Sequence, residues 1–358
     1  MKQQFFAPGR TELAGNHTDH QLGRVLAASV DAGISARVTP RDDQMIIVAS
    51  EGFAAFRVDL NSLEPRAEET GTSQALVRGV AAALKERGGQ LCGFEAEIST
   101  TIPPGGGLSS SAAFEILFGR ILNALANDGR FDAPALARVA QRAENLHFGK
   151  PSGLMDQLAC ATDGAVFVDF ATDEVRRVPA CFEDLGYTLS LTNTGGSHAG
   201  LTDAYAEIPA DMRAVAARFG CATLSEVDEV AFRAAYTPDR ANDRALHFFE
   251  ENARVPKMAA ALEAGDMAAY CSLMNASGRS SERLLRNIRA EAGDDLLERG
   301  LARAAALLEG KGAWRVHGGG FAGCVQALCP TEQFESYRAA MDAQFGPGAC
   351  MPLHMKHI

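Results

Sequence analysis

A mixed α+β fold in two lobes follows from three features of the sequence. The chain has 358 residues, more than one hydrophobic core usually serves. Short runs rich in β-branched residues are interspersed with amphipathic helical runs. The strand-like run Thr188 to Thr192 opens a second lobe, so the boundary is placed near residue 180, between an N-terminal lobe, 1–180, and a C-terminal lobe, 181–358.

The elements follow in order. Ile34 to Thr39, Met45 to Ala49 and Phe56 to Leu60 read as strands, separated by Pro40-Arg41-Asp42-Asp43 and Glu51-Gly52. Gln74 to Arg87 reads as a helix stopped by Gly88-Gly89. Phe94 to Ser99 alternates as a strand and runs into Pro103-Pro104-Gly105-Gly106-Gly107, a cluster of chain breakers. Phe114, Leu117, Phe118, Ile121, Leu122 and Leu125 then fall on one helical face, with Ser109 to Ser111 at the cap position. Pro134 to His147 forms the next helix, burying Leu136, Val139, Ala140 and Ala143. Ala165 to Phe170 and Thr188 to Thr192 are strands, and the latter opens the second lobe. Asp211 to Leu308 is mainly helical. Ala313 to Val316 and Cys324 to Leu328 return as strands around a triple glycine.

Composition excludes whole classes. With 47% hydrophobic and 22% charged residues the chain is neither disordered nor collagenous. Forty-five acidic against 34 basic residues give a net charge of −11, which argues against nucleic-acid and membrane-surface partners. It leaves a local phosphate site open. Eight cysteines without a CxxC pair read as scattered reduced thiols. The most apolar stretch, Ala112 to Ala126, is broken by Glu115, Arg120 and Asn123, so no membrane span is expected. Met1 to Arg10 has no signal-peptide pattern, and a cytoplasmic protein is expected. The sequons at Asn16 and Asn275 then carry no meaning.

The loop Gly105-Gly106-Gly107-Leu108-Ser109-Ser110-Ser111 carries the most chemistry. Glycines allow backbone angles at which N–H groups converge, and a following helix adds unpaired N–H groups and the positive end of its dipole. Together these suit phosphate, and the serines can cap, bind phosphate or ligate Mg²⁺. A plain strand–turn–helix connection is the alternative. No Gly-Lys-Ser/Thr follows, so a P-loop is excluded. Gly318-Gly319-Gly320-Phe321-Ala322-Gly323 matches GxGxxG but precedes a strand, and reads as close backbone packing or a wall beside phosphate. Gly195-Gly196-Ser197-His198-Ala199 is a poor nucleophile elbow. His17 and His20 lack the spacing of a zinc site, and His354 and His357 read as solvated.

Arg10-Thr11-Glu12-Leu13-Ala14-Gly15-Asn16-His17-Thr18-Asp19-His20 concentrates anion-gripping and hydroxyl-gripping groups. Standing alone it reads as a solvated loop. Asp156 lies in an apolar turn, Gly153-Leu154-Met155-Asp156-Gln157, as a buried acid or a general base. Glu144 ends the Pro134 helix, in reach of a metal or in a surface salt bridge. These features together fit a small-molecule kinase.

In order, these segments resemble the GHMP kinases, and within them the galactokinase family. Pro8 to Asp19 is similar to the family signature Gly-Arg-x-Asn-x-x-Gly-Glu-His-x-Asp. Pro103 to Ala113 is similar to its ATP-phosphate loop, Pro151 to Gln157 to its catalytic segment, and Val316 to Gly323 to its third motif. The resemblance spans residues 5 to 330. It implies a GHMP kinase fold, with an N-terminal lobe like the second domain of ribosomal protein S5, a ferredoxin-like C-terminal lobe, and the active site in the cleft. It implies ATP-dependent phosphorylation of galactose at its anomeric hydroxyl. Asp156 would be the base and Arg10 would stabilise the transferring phosphoryl. Gly105 to Ser111 would cradle ATP, and Ser111 and Glu144 would hold Mg²⁺. Asn16, His17, Asp19, Gly153 and Tyr205 would contact the sugar, and Met274 to Arg279 resembles a later family helix. The partners are then a monosaccharide and ATP, and a monomer is expected.

Two departures bear on the sugar. The signature's Asn is Glu12 here and its Glu is Asn16, and His20 replaces a tyrosine. An amide can donate or accept but carries no charge, so sugar preference can shift. The alternatives are a kinase for N-acetylgalactosamine or a pentose, and a non-catalytic galactose sensor. The sensor is disfavoured by the intact Ser109 to Ala113, Arg10 and Asp156.

Overall fold

The structure, a computed structural model, describes residues 2–103, 105–150, 152–179, 181–196, 202–289, 294–321 and 323–355. The chain packs as two compact units, one of Met1–Arg10, Ser29–Pro104 and Leu108–Asp163, the other of Thr11–Ala28, Gly105–Gly107 and Gly164–Ile358. Ala180, at the expected lobe boundary, lies outside the described residues.

The first unit takes residues 3–10 of strand β1 (Gln3–Ala14) and 29–41 of β2 (Arg24–Arg41). It adds β3 (Met45–Ser50), β4 (Phe56–Asp59), helix α1 (Ser73–Glu86) and β5 (Gly93–Thr100). The strands run β4-β3-β5-β2, with β1 beside β2. β3 lies parallel to β5, with Val48 opposite Ala96, and β5 antiparallel to β2, with Ile98 opposite Ala36. Helices α2 (Ser110–Ala126), α3 (Ala133–Ala143) and α4 (Met155–Ala161) pack on one another and, through α2 and α3, on α1. Thr72 caps α1 and Asp132 caps α3 through their side chains. At Gly79 a Cβ would lie 2.7 Å from that of Ala143, so only glycine lets α1 approach the end of α3. Val77, Val80, Leu84, Phe94, Ile116, Leu117, Phe118 and Ile121 are fully buried here.

In the second unit, the first residues of β2 pair with β6 (Ala165–Asp169), Leu26 opposite Phe167, and β6 pairs with β7 (Glu174–Val178). Next come β8 (Tyr187–Asn193) and helices α5 (Thr202–Arg218), α6 (Glu229–Ala235), α7 (Arg240–Glu263), α8 (Met267–Ser280) and α9 (Leu296–Leu308). The chain ends with β9 (Ala313–His317), β10 (Cys324–Pro330), α10 (Phe334–Phe345) and β11 (Cys350–Leu353). The sheet order is β11-β8-β10-β9, antiparallel throughout. Fourth, first, third, second is the ferredoxin-like order the resemblance implied. One apolar core gathers Ile208, Met212, Phe232, Phe248 and Phe321, another Leu297, Leu308, Val325, Tyr337 and Met341.

The structure differs from the sequence reading at both ends. Residues 3–14, for which local pattern predicts no element and in part a solvated loop, form β1, and its last eight positions are all buried. Their polar groups find partners far along the chain, which local pattern does not reveal. β7, α10 and β11 were not expected either. None of the eight cysteines lies in a disulfide. Among the described residues no helix is long and apolar enough to cross a membrane.

Candidate active site

Asp156 and Arg10 meet inside the first unit although 146 residues separate them. Arg10 Nε donates to Asp156 Oδ1 at 2.6 Å and Nη2 to Oδ2 at 2.9 Å, a two-pronged pair. The Arg10 side chain is 8% exposed and that of Asp156 30%. Arg10 is placed by its backbone, whose N–H donates to Leu108 O at 3.1 Å. A Cβ on the preceding Gly9 would lie 2.9 Å from that same oxygen, so the approach requires glycine. Asp156 is in the first turn of α4, and Ser109 Oγ donates to its Oδ2 at 2.5 Å. Burial acts to raise the Asp156 carboxyl, but the Arg10 guanidinium and the Ser109 hydroxyl overrule it and hold it below the ordinary carboxylate value. At neutral pH this is a ready carboxylate with a cation at its side.

Ser109 departs from the expected capping role. It stands at the N-cap position of α2 in left-handed backbone, φ 52° and ψ 60°, and its side chain makes no cap bond. Its hydroxyl serves Asp156 instead. Gly105 and Gly107 take φ +68° and +66°, conformations that favour glycine, and Leu108 is buried. Ser110 opens α2, so the loop does end in a helix N-terminus. In the second unit a Cβ on Gly107 would approach His317 Nδ1 to 3.0 Å, and His317 Nε2 lies 3.1 Å from Thr11 Oγ1. Pro104, within the loop, lies outside the described residues, as do Pro151, Leu201 and Ala322.

Ser111 Oγ donates to Glu144 Oε1 at 3.4 Å. Glu144, expected near a helix end, lies in a π-helical turn, Glu144–Phe148, and is 2% exposed, so its salt bridge to the exposed Lys150 ends on a buried carboxylate and not on an exposed face. It accepts from Gln157 Nε2 at 2.7 Å and Lys150 Nζ at 3.1 Å. Glu115 is also buried, and its Oε1 has no partner. Burial, reinforced by the Glu144 charge, pushes Glu115 up to about 9, so it is protonated at pH 7. The Ser111 hydroxyl and the Glu144 carboxylate are hard oxygen donors that fit Mg²⁺, which takes few protein ligands and completes its shell with phosphate and water.

The signature's far end lies in the second unit and closes on the triple glycine. Asn16 is 1% exposed. Its Nδ2 donates to Gly318 O at 2.7 Å and Glu12 Oε1 at 3.2 Å. Its Oδ1 accepts from Asn287 Nδ2 at 2.9 Å and Ser281 Oγ at 3.2 Å. His17 Nε2 donates to Gly319 O at 3.0 Å, and Tyr205 donates to Gly320 O at 2.5 Å. Because a carbonyl only accepts, the His17 proton is on Nε2. Nδ1 then accepts from His20 Nε2 at 3.4 Å, and His20 Nδ1 accepts from Gln21 at 3.3 Å. Burial lowers His17 to about 4 and His20 to about 3, so both rings are neutral. Asp19 Oδ1 accepts the His20 backbone N–H at 2.9 Å. Gly153 is half-buried ahead of α4 in the first unit.

Close packing explains the triple glycine: a Cβ on Gly319 would come within 2.5 Å of the Tyr205 ring, and one on Gly320 within 2.0 Å of Asn287 O. The strand β10 follows it, as expected, so this is no dinucleotide-binding turn. Sequence reasoning missed the supports behind the signature. Glu251 accepts from Gly15 N at 3.0 Å and Ser277 Oγ at 2.8 Å, and pairs with Arg254. His247 Nε2 donates to Asn16 O at 2.9 Å, and Arg315 pairs with Glu12. The only local signal was a His-x-x-x-Glu-x-x-Arg run on one face of α7. Ser197, His198 and Ala199 of the weak elbow, and His357, lie outside the described residues. His354 is exposed but pairs with Glu183.

The chain has known relatives. Residues 75–164 match the GHMP kinases N terminal domain, and residues 2–40 the galactokinase galactose-binding signature. A galactokinase of Staphylococcus carnosus is 35% identical over 90% of this chain and 84% of its own, and one of Streptomyces coelicolor 32% over 95% and 87%. The structure of Lactococcus lactis galactokinase complexed with galactose superposes with a TM-score of 0.86 at 27% identity, covering 99% of this chain and 94% of that one. A mevalonate kinase at 16% identity and a TM-score of 0.71 shares the fold. Identity of this level along nearly the whole chain, with Arg10, Asp156 and the serine loop assembled, makes the chain a member of the galactokinase family, with the GHMP kinase fold.

Proposed function

We propose that the protein transfers the γ-phosphoryl group of ATP to the C1 hydroxyl of galactose. The observation that carries this is the Arg10–Asp156–Ser109 cluster, where a carboxylate is held ionised against Ser109 of the phosphate loop. Asp156 takes the proton of the C1 hydroxyl as that oxygen bonds to the γ-phosphorus. The bond from that phosphorus to the bridging oxygen breaks, and ADP leaves. Arg10 keeps Asp156 deprotonated and offsets negative charge on the group in flight. The N–H groups from Gly105 to Ser111 cradle the phosphates. Ser111 and Glu144 would hold Mg²⁺, which supplies charge neutralisation at the phosphates when bound. Asp19, Gly153 and Tyr205 orient the sugar, and His17, whose ring nitrogens are engaged by Gly319 and His20, fastens the glycine turn, turning the encounter into a positioned reaction. A cytoplasmic protein, with ATP at hand as donor, fits this reading. Asp156, Arg10, Ser109, Ser111 and Glu144 belong to one chain, so a monomer suffices.

Asp156→Asn tests the assignment. A general base contributes about 10²–10⁴-fold, so kcat should fall by about 1,000-fold while calorimetry still records galactose binding. Retention of a near-native rate would remove Asp156 from the mechanism.

A further inference from the structure

We infer that Asn16 is a positioning residue in this protein rather than a sugar ligand, and that Glu12 acts through it to set which sugar is accepted. An asparagine side chain has two donor hydrogens and two acceptor lone pairs. All four are engaged within the second unit: the hydrogens by Gly318 O and Glu12, the lone pairs by Asn287 and Ser281. Nothing of the amide is left for a substrate hydroxyl. This rests on the proposed sugar-kinase reading and on residues 2–40 forming the galactose-binding signature.

The arrangement follows from where the acid stands. The signature's acid is at position 16, whereas here it is Glu12. Glu12 is 3% exposed and forms an ion pair with Arg315, itself 1% exposed. Arg315 Nη1 also lies 3.1 Å from Ser277 Oγ and 3.8 Å from Glu251. With Glu12 fixed from behind, its carboxylate fixes the amide, and the amide pins Gly318. His17 and Asn287 fasten to Gly319. The turn is thereby clamped to the signature.

Two consequences follow. A carboxylate at position 16 opposite Glu12 would bring acceptors together, within 3.2 to 3.5 Å on the present contacts, and would also face Gly318 O. A glutamate at position 16 is therefore disfavoured while Glu12 remains. The second consequence concerns the substrate. A site with a buried group committed to a substrate hydroxyl rejects the deoxy analogue by up to about 10⁴-fold, because the group is stranded. Asn16 is satisfied by the protein, so the hydroxyl facing it is not demanded. The substrate class is a galactose-type hexose in which that one position tolerates removal or substitution of the hydroxyl.

The test is a cycle of wild type, Glu12→Asn, Asn16→Glu and the double variant, assayed with Mg²⁺, ATP, galactose and its 2-, 3-, 4- and 6-deoxy derivatives. Asn16→Glu alone should raise the galactose KM at least tenfold, and the double variant should recover most of that loss. In the double variant the relative kcat/KM should fall at least tenfold for one deoxy sugar that wild type accepts, with the other three unchanged within about threefold. Additive KM effects, or an unmoved deoxy profile, would overturn the inference. Should the cycle variants not fold, Glu12→Gln keeps the shape and removes the charge. It should raise the galactose KM several-fold and leave kcat and the ATP KM near wild type. No change, or equal loss in all three, counts against the coupling. Turnover of galactose by wild type and its loss in Asp156→Asn judge the underlying reading separately.

Discussion

A lysine at position 10 would keep the charge of Arg10 and lose its fork. Both oxygens of Asp156 are held by separate guanidinium nitrogens, and an ammonium cannot reproduce that planar grip. Loss of one charge-assisted hydrogen bond is worth about 1.5–3 kcal/mol, so Arg10→Lys should lower kcat by about 10–100-fold. The pH profile adds a sharper check. A base works when deprotonated, and activity falls as pH drops through its pKa. Wild-type activity should therefore persist below the ordinary carboxylate range, because Arg10 and Ser109 depress the Asp156 value against its burial. In Arg10→Lys the acid limb should move to higher pH, although the 30% exposure of Asp156 screens part of the effect. An acid limb that stays in place would mean that Arg10 does not tune the base.

Gly319→Ala probes the turn that holds the signature. The added Cβ meets the Tyr205 ring at 2.5 Å, and that ring is fixed by its bond to Gly320 O and an edge contact with Phe321. Overpacking of this kind costs about 1–3 kcal/mol, so the ring should shift. The galactose KM should then rise about tenfold with the ATP KM unchanged, and steady-state kinetics showing neither change would detach Tyr205 from the sugar. Legibility in the sequence differed among elements for physical reasons. The α2 face and the β-branched strands were readable because their partners are generic apolar surface. β1 was not, since Arg10, Thr11 and Glu12 are buried by partners 146, 306 and 303 residues away. β11 contains Pro352, which masks a strand, and the structure places it at the sheet edge, where proline is tolerated. Asp156 and Arg10 are legible through the motifs that carry them. The Ser109 bond to Asp156, and the saturation of Asn16, depend on side-chain directions that spacing does not encode.

At the scale of the whole molecule, buried titratable groups make stability a dome in pH. Burial lowers His17 to about 4 and His20 to about 3, and also lowers His147 and His247. Unfolded, each histidine binds its proton near pH 6.5. Their contribution is fully present above that value and is lost as pH falls toward the folded values. Glu115 acts in the opposite sense: its folded value of about 9 lies above its unfolded 4.5, so its proton favours the folded state below 4.5 and that advantage disappears as pH rises to 9. Between pH 6.5 and 4.5 the histidines outnumber it, and unfolding takes up protons on balance. Each net proton changes stability by about 1.4 kcal/mol per pH unit. The depressed carboxylates, Asp156 and Glu251 among them, act only below about pH 4.5. Calorimetry without added Mg²⁺ should therefore show Tm highest near pH 6.5–7.5, falling by several degrees toward pH 5 and more gently toward pH 9. His247→Gln, in a fully buried ring site, should lower Tm at pH 7 yet flatten the acid slope. A Tm level from pH 7 to 4.5, or a slope the variant leaves intact, would show that these rings do not remain neutral in the folded protein.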